Sequence, residues 1–246
     1  MTKIIAEIGL NHMGNPKILN RMIKDLVRNK VDGISVQILD DSYYNETKPF
    51  RKKIEIKYYA KIAKILKKKK IKFGIALVNQ KTIKDFKSIN IDFWKILSMQ
   101  FFNEKLIKEI LKTNKDVYLS SGIVSNSDIR AMSKKYKKIN FIHTSFSSNL
   151  KKTNILAISK LKDEIKNKIS FGLHSELDDV IIGSIVLKAD SVFFYVKYDD
   201  NIKYPDHEHA INLETLKYKI KTWKEIMISL GTGLKKREKL PSWVFE

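Results

Sequence analysis

The sequence predicts a single closed (β/α)8 barrel, an α/β fold. Three observations lead there. Short β-branched runs alternate eight times with longer segments of helical spacing. The chain has 246 residues, and about 250 is usual for one such barrel. The turn after the first strand reads Gly9-x-x-x-x-Gly14. That is not the glycine fingerprint with which an open doubly wound sheet, the competing architecture, holds a dinucleotide.

The elements follow in order. The first strand is residues 3–8, apolar except for Glu7. Asn15-Pro16 then supplies a cap and a first-turn proline for a helix over 16–29. A strand at 33–38 precedes a helix over 54–69. The run Lys67-Lys68-Lys69-Lys70 ends that helix, where positive charge suits the macrodipole. Strands at 72–77 and 92–97 are followed by helices over 80–88 and 103–113. The fifth pair is 116–120 and 126–136, with Ser125 or Ser127 as the helix cap. The sixth is 139–143 and 153–166, capped by Thr153 or Asn154, with Ile155, Ile158, Leu161 and Ile165 along one face. Pairs at 169–173 with 177–188 and at 191–196 with 211–229 complete the set. The barrel is expected to fill residues 1–232, leaving 233–246 as a C-terminal tail.

Composition narrows the function classes. Hydrophobic residues make up 43% of the chain, enough for a sizeable core. There is no cysteine, which excludes disulfides and thiolate metal sites and is compatible with a cytoplasmic location. No apolar run reaches the roughly 18–20 residues that span a bilayer, so no membrane partner is expected. The N-terminus, with Glu7 inside its apolar stretch, does not read as a signal peptide. The formal charge is +21, but only five of the 48 basic residues are Arg. Arg is the preferred reader of phosphates and base edges, so nucleic acid is not expected as a partner either.

Barrel chemistry sits where strands end and the following loops begin. Glu7 is an acid in an apolar strand, and buried acids are rare unless paired. It reads either as a site residue or as the partner of a barrel lysine such as Lys95. Lys95, Ser98 and Ser120 together suit a small phosphate or sulfate anion. His12 reads mainly as shaping the first loop, and His143 as structural or functional. Two histidines in one loop, His207 and His209, are too few for a metal site on their own. Phe193, Phe194 and Tyr195 read as packing.

These segments resemble one family, the sialic acid synthases and related synthases of nine-carbon keto-sugar acids. Ala6-Glu7-Ile8-Gly9-Leu10-Asn11-His12-Met13-Gly14 matches the family's first-strand motif throughout. Lys95-Ile96-Leu97-Ser98-Met99-Gln100 is similar to its fourth strand, and Leu119-Ser120-Ser121-Gly122-Ile123 to its fifth. Ile142-His143-Thr144-Ser145 and Tyr204-Pro205-Asp206-His207 follow in order.

The resemblance implies condensation of phosphoenolpyruvate with an amino-sugar aldehyde, in which Mn or Mg polarises the aldehyde. It implies catalytic positions at Glu7, Gln37 and Gln100. It implies substrate or phosphate contacts at Lys95, Ser98, Ser120, Asp206 and Ser35. A homodimer, or pairing with an active synthase, is the implied assembly. The departures imply altered or impaired chemistry, or a non-catalytic sugar-phosphate or partner binder of the same fold. Ser35 stands where the family has a lysine, and Gln100 where it has a glutamate. One metal histidine becomes Glu176 and the other Val196. On a strand of period two, Gly172, His174 and Glu176 share a face, as do Phe194 and Val196. The expected metal contacts are therefore His174 and Glu176, with Mn or Mg held weakly at most. The family's C-terminal antifreeze-like domain is expected to be absent.

Overall fold

Alternation of strand and helix closes the sheet on itself. The computed structural model describes residues 1–45, 47–147 and 149–235. Its first half runs β1 (Lys3–Gly9), α1 (Pro16–Arg28), β2 (Gly33–Ile38), α2 (Ile56–Lys68), β3 (Lys72–Leu77), α3 (Gln80–Asp85), β4 (Phe93–Ile96) and α4 (Glu104–Leu111). The second half is β5 (Asp116–Ser120), α5 (Asn126–Lys135), β6 (Ile139–His143), α6 (Leu150–Thr153), α7 (Leu156–Glu164), β7 (Ile169–Gly172), α8 (Val180–Val186), β8 (Ser191–Lys197), β9 (Ile211–Asn212) and α9 (Leu213–Ser229). Each strand from β1 to β8 pairs in parallel with the next, and β8 returns to β1. The closed eight-stranded barrel is the fold the sequence predicts. The two-residue β9, which pairs with Val196 and Lys197 of β8, is an addition to it. No described helix is long and apolar enough to cross a membrane.

Caps explain several boundaries. The Asn15 side chain accepts from the backbone N–H groups of Lys17 and Ile18, fixing the start of α1. Of the two serines offered for α5, Ser125 is the cap, in a reciprocal box with Asp128. The sixth helix departs from expectation. Asn149 caps a short α6, and Asn154 adopts a left-handed backbone, φ 41°, that separates it from α7. Neither Thr153 nor Asn154 caps α7. Asparagine tolerates this conformation better than most residues. Ile158 and Leu161 of α7 are nonetheless fully buried, as their spacing requires.

Two cores result from the period-two alternation of strand side chains. Outward residues such as Ile75, Phe141, Phe194 and Val196 join the large core under the helices. Inward, Ile5, Phe93, Tyr118, Ile142 and Phe193 fill the lower barrel. The Phe93 and Tyr118 rings meet edge to face at a centroid distance of 5.4 Å. Gly74 makes room for this plug, because a Cβ there would overlap the Phe93 ring. The alternation also settles the faces of β8. Phe193 pairs with Ile5 and Tyr195 with Glu7, so both look inward. Phe194 packs on Trp223 of α9, outside the barrel. Val196 is on that outer face as well, so the metal position assigned to it by resemblance does not look into the barrel at all.

Candidate functional site

One level above the aromatic plug, the barrel interior turns polar. Glu7 of β1 and Lys95 of β4 meet across it, with Lys95 Nζ 2.7 and 2.6 Å from the two carboxylate oxygens. Both side chains are buried, at 3% and 4% exposure. Ser35 of β2 donates to Glu7 Oε1 at 3.2 Å. The ammonium also lies over the Phe193 and Tyr195 rings, 5.5 and 5.6 Å from their centroids. The ion-pair partner offered for Glu7 is thus Lys95, and the pair stands at the barrel mouth.

Above this pair opens a cavity of about 140 Å³ at the C-terminal ends of the strands. Gln37, Lys95, Ser98 and Ser120 line one side. Gly122 donates its backbone N–H to Ser98 Oγ at 3.0 Å, leaving the hydroxyl proton free to donate elsewhere. His174, Tyr195 and Asp206 line the other side. The Tyr195 hydroxyl lies 3.5 Å from Gln37 Oε1.

The loop after β8 is fastened over β1. Fully buried Asn11 donates to the Val196 carbonyl at 2.9 Å and accepts the Asp206 backbone N–H at 3.1 Å. The Asp206 carboxyl lies over Gly9, where a Cβ would come 2.7 Å from Oδ2 and 2.6 Å from Tyr195 Cε1. Gly9 also has φ +54°, a conformation that favours glycine. Behind Asp206, the His174 and His209 rings stack at 4.5 Å, 21° from parallel. Phe146 abuts His174 edge-on at 5.6 Å.

Burial dominates the electrostatics. It lowers His174 to about 3, helped by His209 and Lys95. It lowers His209 to about 4, helped by Lys95 and Lys197. Both rings are neutral at pH 7. Burial and then the Glu7 charge raise Asp206 to about 7, against the opposing pull of Lys95. Among the described residues Lys95 is the one cation lining the cavity, and Glu7 already holds it.

Of the residues expected at the site, Glu7, Ser35, Gln37, Lys95, Ser98, Ser120, Asp206 and His174 are gathered at this mouth. Gln100 and Glu176 are not. Gln100 sits in a 3-10 turn and accepts from the Asn103 side chain at 2.8 Å, away from the cavity. β7 ends at Gly172, so the strand period does not reach Glu176, which is exposed beyond it. Among the described residues no three His, Asp or Glu side chains are grouped to hold a metal. These donors do not fit a divalent cation.

Two other histidines bond to nearby backbone. His12 Nδ1 accepts the Gly14 backbone N–H at 3.0 Å and shapes the first loop. His143 Nε2 pairs with the Thr153 carbonyl at 2.9 Å. Tyr195 and Asn11 are site residues that the sequence reading missed. The pairing of Tyr195 with Glu7 of β1 is what separates it from outward Phe194.

Comparison with known proteins agrees with this geometry. Residues 17–235 match the NeuB family. The chain belongs to the NeuB family. The match begins just past the first-strand motif, so membership rests on the remainder of this NeuB barrel. The N,N'-diacetyllegionaminic acid synthase of Campylobacter jejuni is 22% identical over 97% of this chain and 80% of its own length. The pseudaminic acid synthase of Helicobacter pylori is 18% identical over 93% of this chain and 75% of its own length. Among solved structures, the N-acetylneuraminic acid synthetase of Leptospira borgpetersenii superposes with a TM-score of 0.86 at 22% identity, covering 96% of this chain and 87% of that one.

Proposed function

We propose that this NeuB-family barrel condenses a phosphoenolpyruvate-class anion with an amino-sugar aldehyde, as nonulosonate synthases do, and does so in impaired form. The observation that carries the reading is the convergence of Lys95, Ser98 and Ser120 with Glu7 and Asp206 around one cavity at the barrel mouth. Lys95 supplies the charge for a phosphate, while the two serines supply directional donors. Gln37 and Tyr195 wall the remaining space and orient what enters.

Impairment follows from the same contacts. An entering phosphate must compete with Glu7 for Lys95, and Ser35 brings no second cation. One missing charge-assisted hydrogen bond costs about 1.5–3 kcal/mol, which is roughly ten- to a hundredfold in affinity. Gln100 holds Asn103 and carries no titratable proton. The absence of cysteine is compatible with work in the cytoplasm.

The test is phosphate release from phosphoenolpyruvate with a panel of amino sugars, run with Mn and again with a chelator. Slow release that needs the sugar and is lost in Lys95→Ala supports condensation. No release with any sugar overturns it, and phosphoenolpyruvate binding without release would make the protein a non-catalytic binder.

A further inference from the structure

One carboxyl, that of Asp206, lines the cavity, and a second, that of Glu7, lies beneath it on Lys95. Lys95 gives its contacts to Glu7, so Asp206 has no cationic partner. Its nearest basic atom is His209 Nε2, 4.0 Å away on a neutral ring. Asn11 fixes the Asp206 backbone, and the Leu10 backbone N–H donates to its carboxyl above Gly9, an opposing pull on its proton. The groups around it are Glu7 from β1, Lys95 from β4, Tyr195 from β8, and His209 in its own loop with His174 stacked behind it. Burial holds Tyr195 protonated, well above its ordinary range. Among the described residues the charges facing Asp206 at neutral pH are therefore the Glu7–Lys95 pair. Two carboxylates that share a dry site do not both ionise readily.

We propose that Asp206 stands protonated at the cavity wall and gives its proton to the carbonyl oxygen of the bound aldehyde, doing the work for which this donor set offers no metal. The inference rests on the condensation reading. The enol π pair of the phosphoenolpyruvate-class substrate forms the new carbon–carbon bond. The carbonyl π pair moves to oxygen and takes the Asp206 proton. Water adds to the cationic carbon left behind and one of its protons restores Asp206; the hydroxyl so formed becomes the keto carbonyl as the carbon–oxygen bond to phosphate breaks, and its remaining proton leaves with the phosphate. Among the described residues at this wall, a neutral Asp206 carboxyl is the acid matched to donate near pH 7, the neighbouring imidazoles being deprotonated and Lys95 held by Glu7.

The sign of the pH dependence follows. Asp206 is raised to about 7, so it holds its proton below that value and loses it above. Stability linked to this proton is complete below the ordinary carboxylate range and is lost as pH rises through about 7. The experiment is a carbon-13 NMR titration of aspartate-labelled protein, with the Asp206 signal identified by its absence in Asp206→Asn. The expected midpoint is near 7, moving down in Glu7→Gln. A midpoint near the ordinary value of about 4 overturns the inference, as does a midpoint indifferent to Glu7→Gln. Should Glu7→Gln fail to fold, thermal melts decide: the advantage of Asp206→Asn over wild type should grow as pH rises from the ordinary carboxylate range to about 7 and level off above it. Phosphate release should fall over the same range, and release flat through it overturns the donor role. If wild type releases no phosphate, the condensation reading and the donor role fall together, while the titration still decides the protonation of Asp206.

Discussion

Glu7 and Lys95 show what a residue-level reading can reach. A charge inside an apolar strand is costly unless it is paired, so each announced itself in the sequence, and the structure pairs them at 2.6 Å. Removing one partner of such a pair strands the other, at about 3–5 kcal/mol. Lys95→Met alone is expected to destabilise by that much, and Lys95→Met with Glu7→Gln to recover most of the loss. Urea unfolding of the two single variants and the double variant checks this. Additive losses would mean that the pair is not coupled. Gln100 and Glu176 were placed less well for a definite reason. Both lie past their strands, where alternation no longer decides direction and local turn contacts do.

At the scale of elements, the eight strands were legible because β-branched runs end sharply at turn residues, and most boundaries moved by only a residue or two. The sixth helix was not legible, because one left-handed asparagine splits it and no periodicity reports a backbone dihedral. β8 was legible in extent but misread in facing. Three aromatic residues in a row hide the alternation, and only the pairing with β1 reveals that Phe193 and Tyr195 look inward. The interior plug depends on a similar constraint. Gly74 on β3 lies against Phe93 with no space for a methyl group, and overpacking a tight core costs about 1–3 kcal/mol. Gly74→Ala is therefore expected to destabilise by at least that range in chemical denaturation. A neutral result would show that the Phe93 ring shifts freely and that the plug is loosely packed.

For the whole molecule, fold and family were readable from sequence, while the electrostatic state of the mouth was not. The first depends on repeated local pattern. The second depends on which of two carboxylates a single lysine reaches, and residues 88 apart decide that through strand register. The high net charge does not change it, since Lys95 is the one lysine lining the cavity. The account stands on this mouth holding a phosphate-bearing substrate. Titration calorimetry with phosphoenolpyruvate tests that most directly, using wild type, Lys95→Ala and Ser120→Ala, the last of these keeping the ion pair intact. Weak but measurable binding to wild type is predicted, reduced roughly tenfold or more in Ser120→Ala and lost in Lys95→Ala. Affinity unchanged in both variants, or no binding to wild type, would contradict the account.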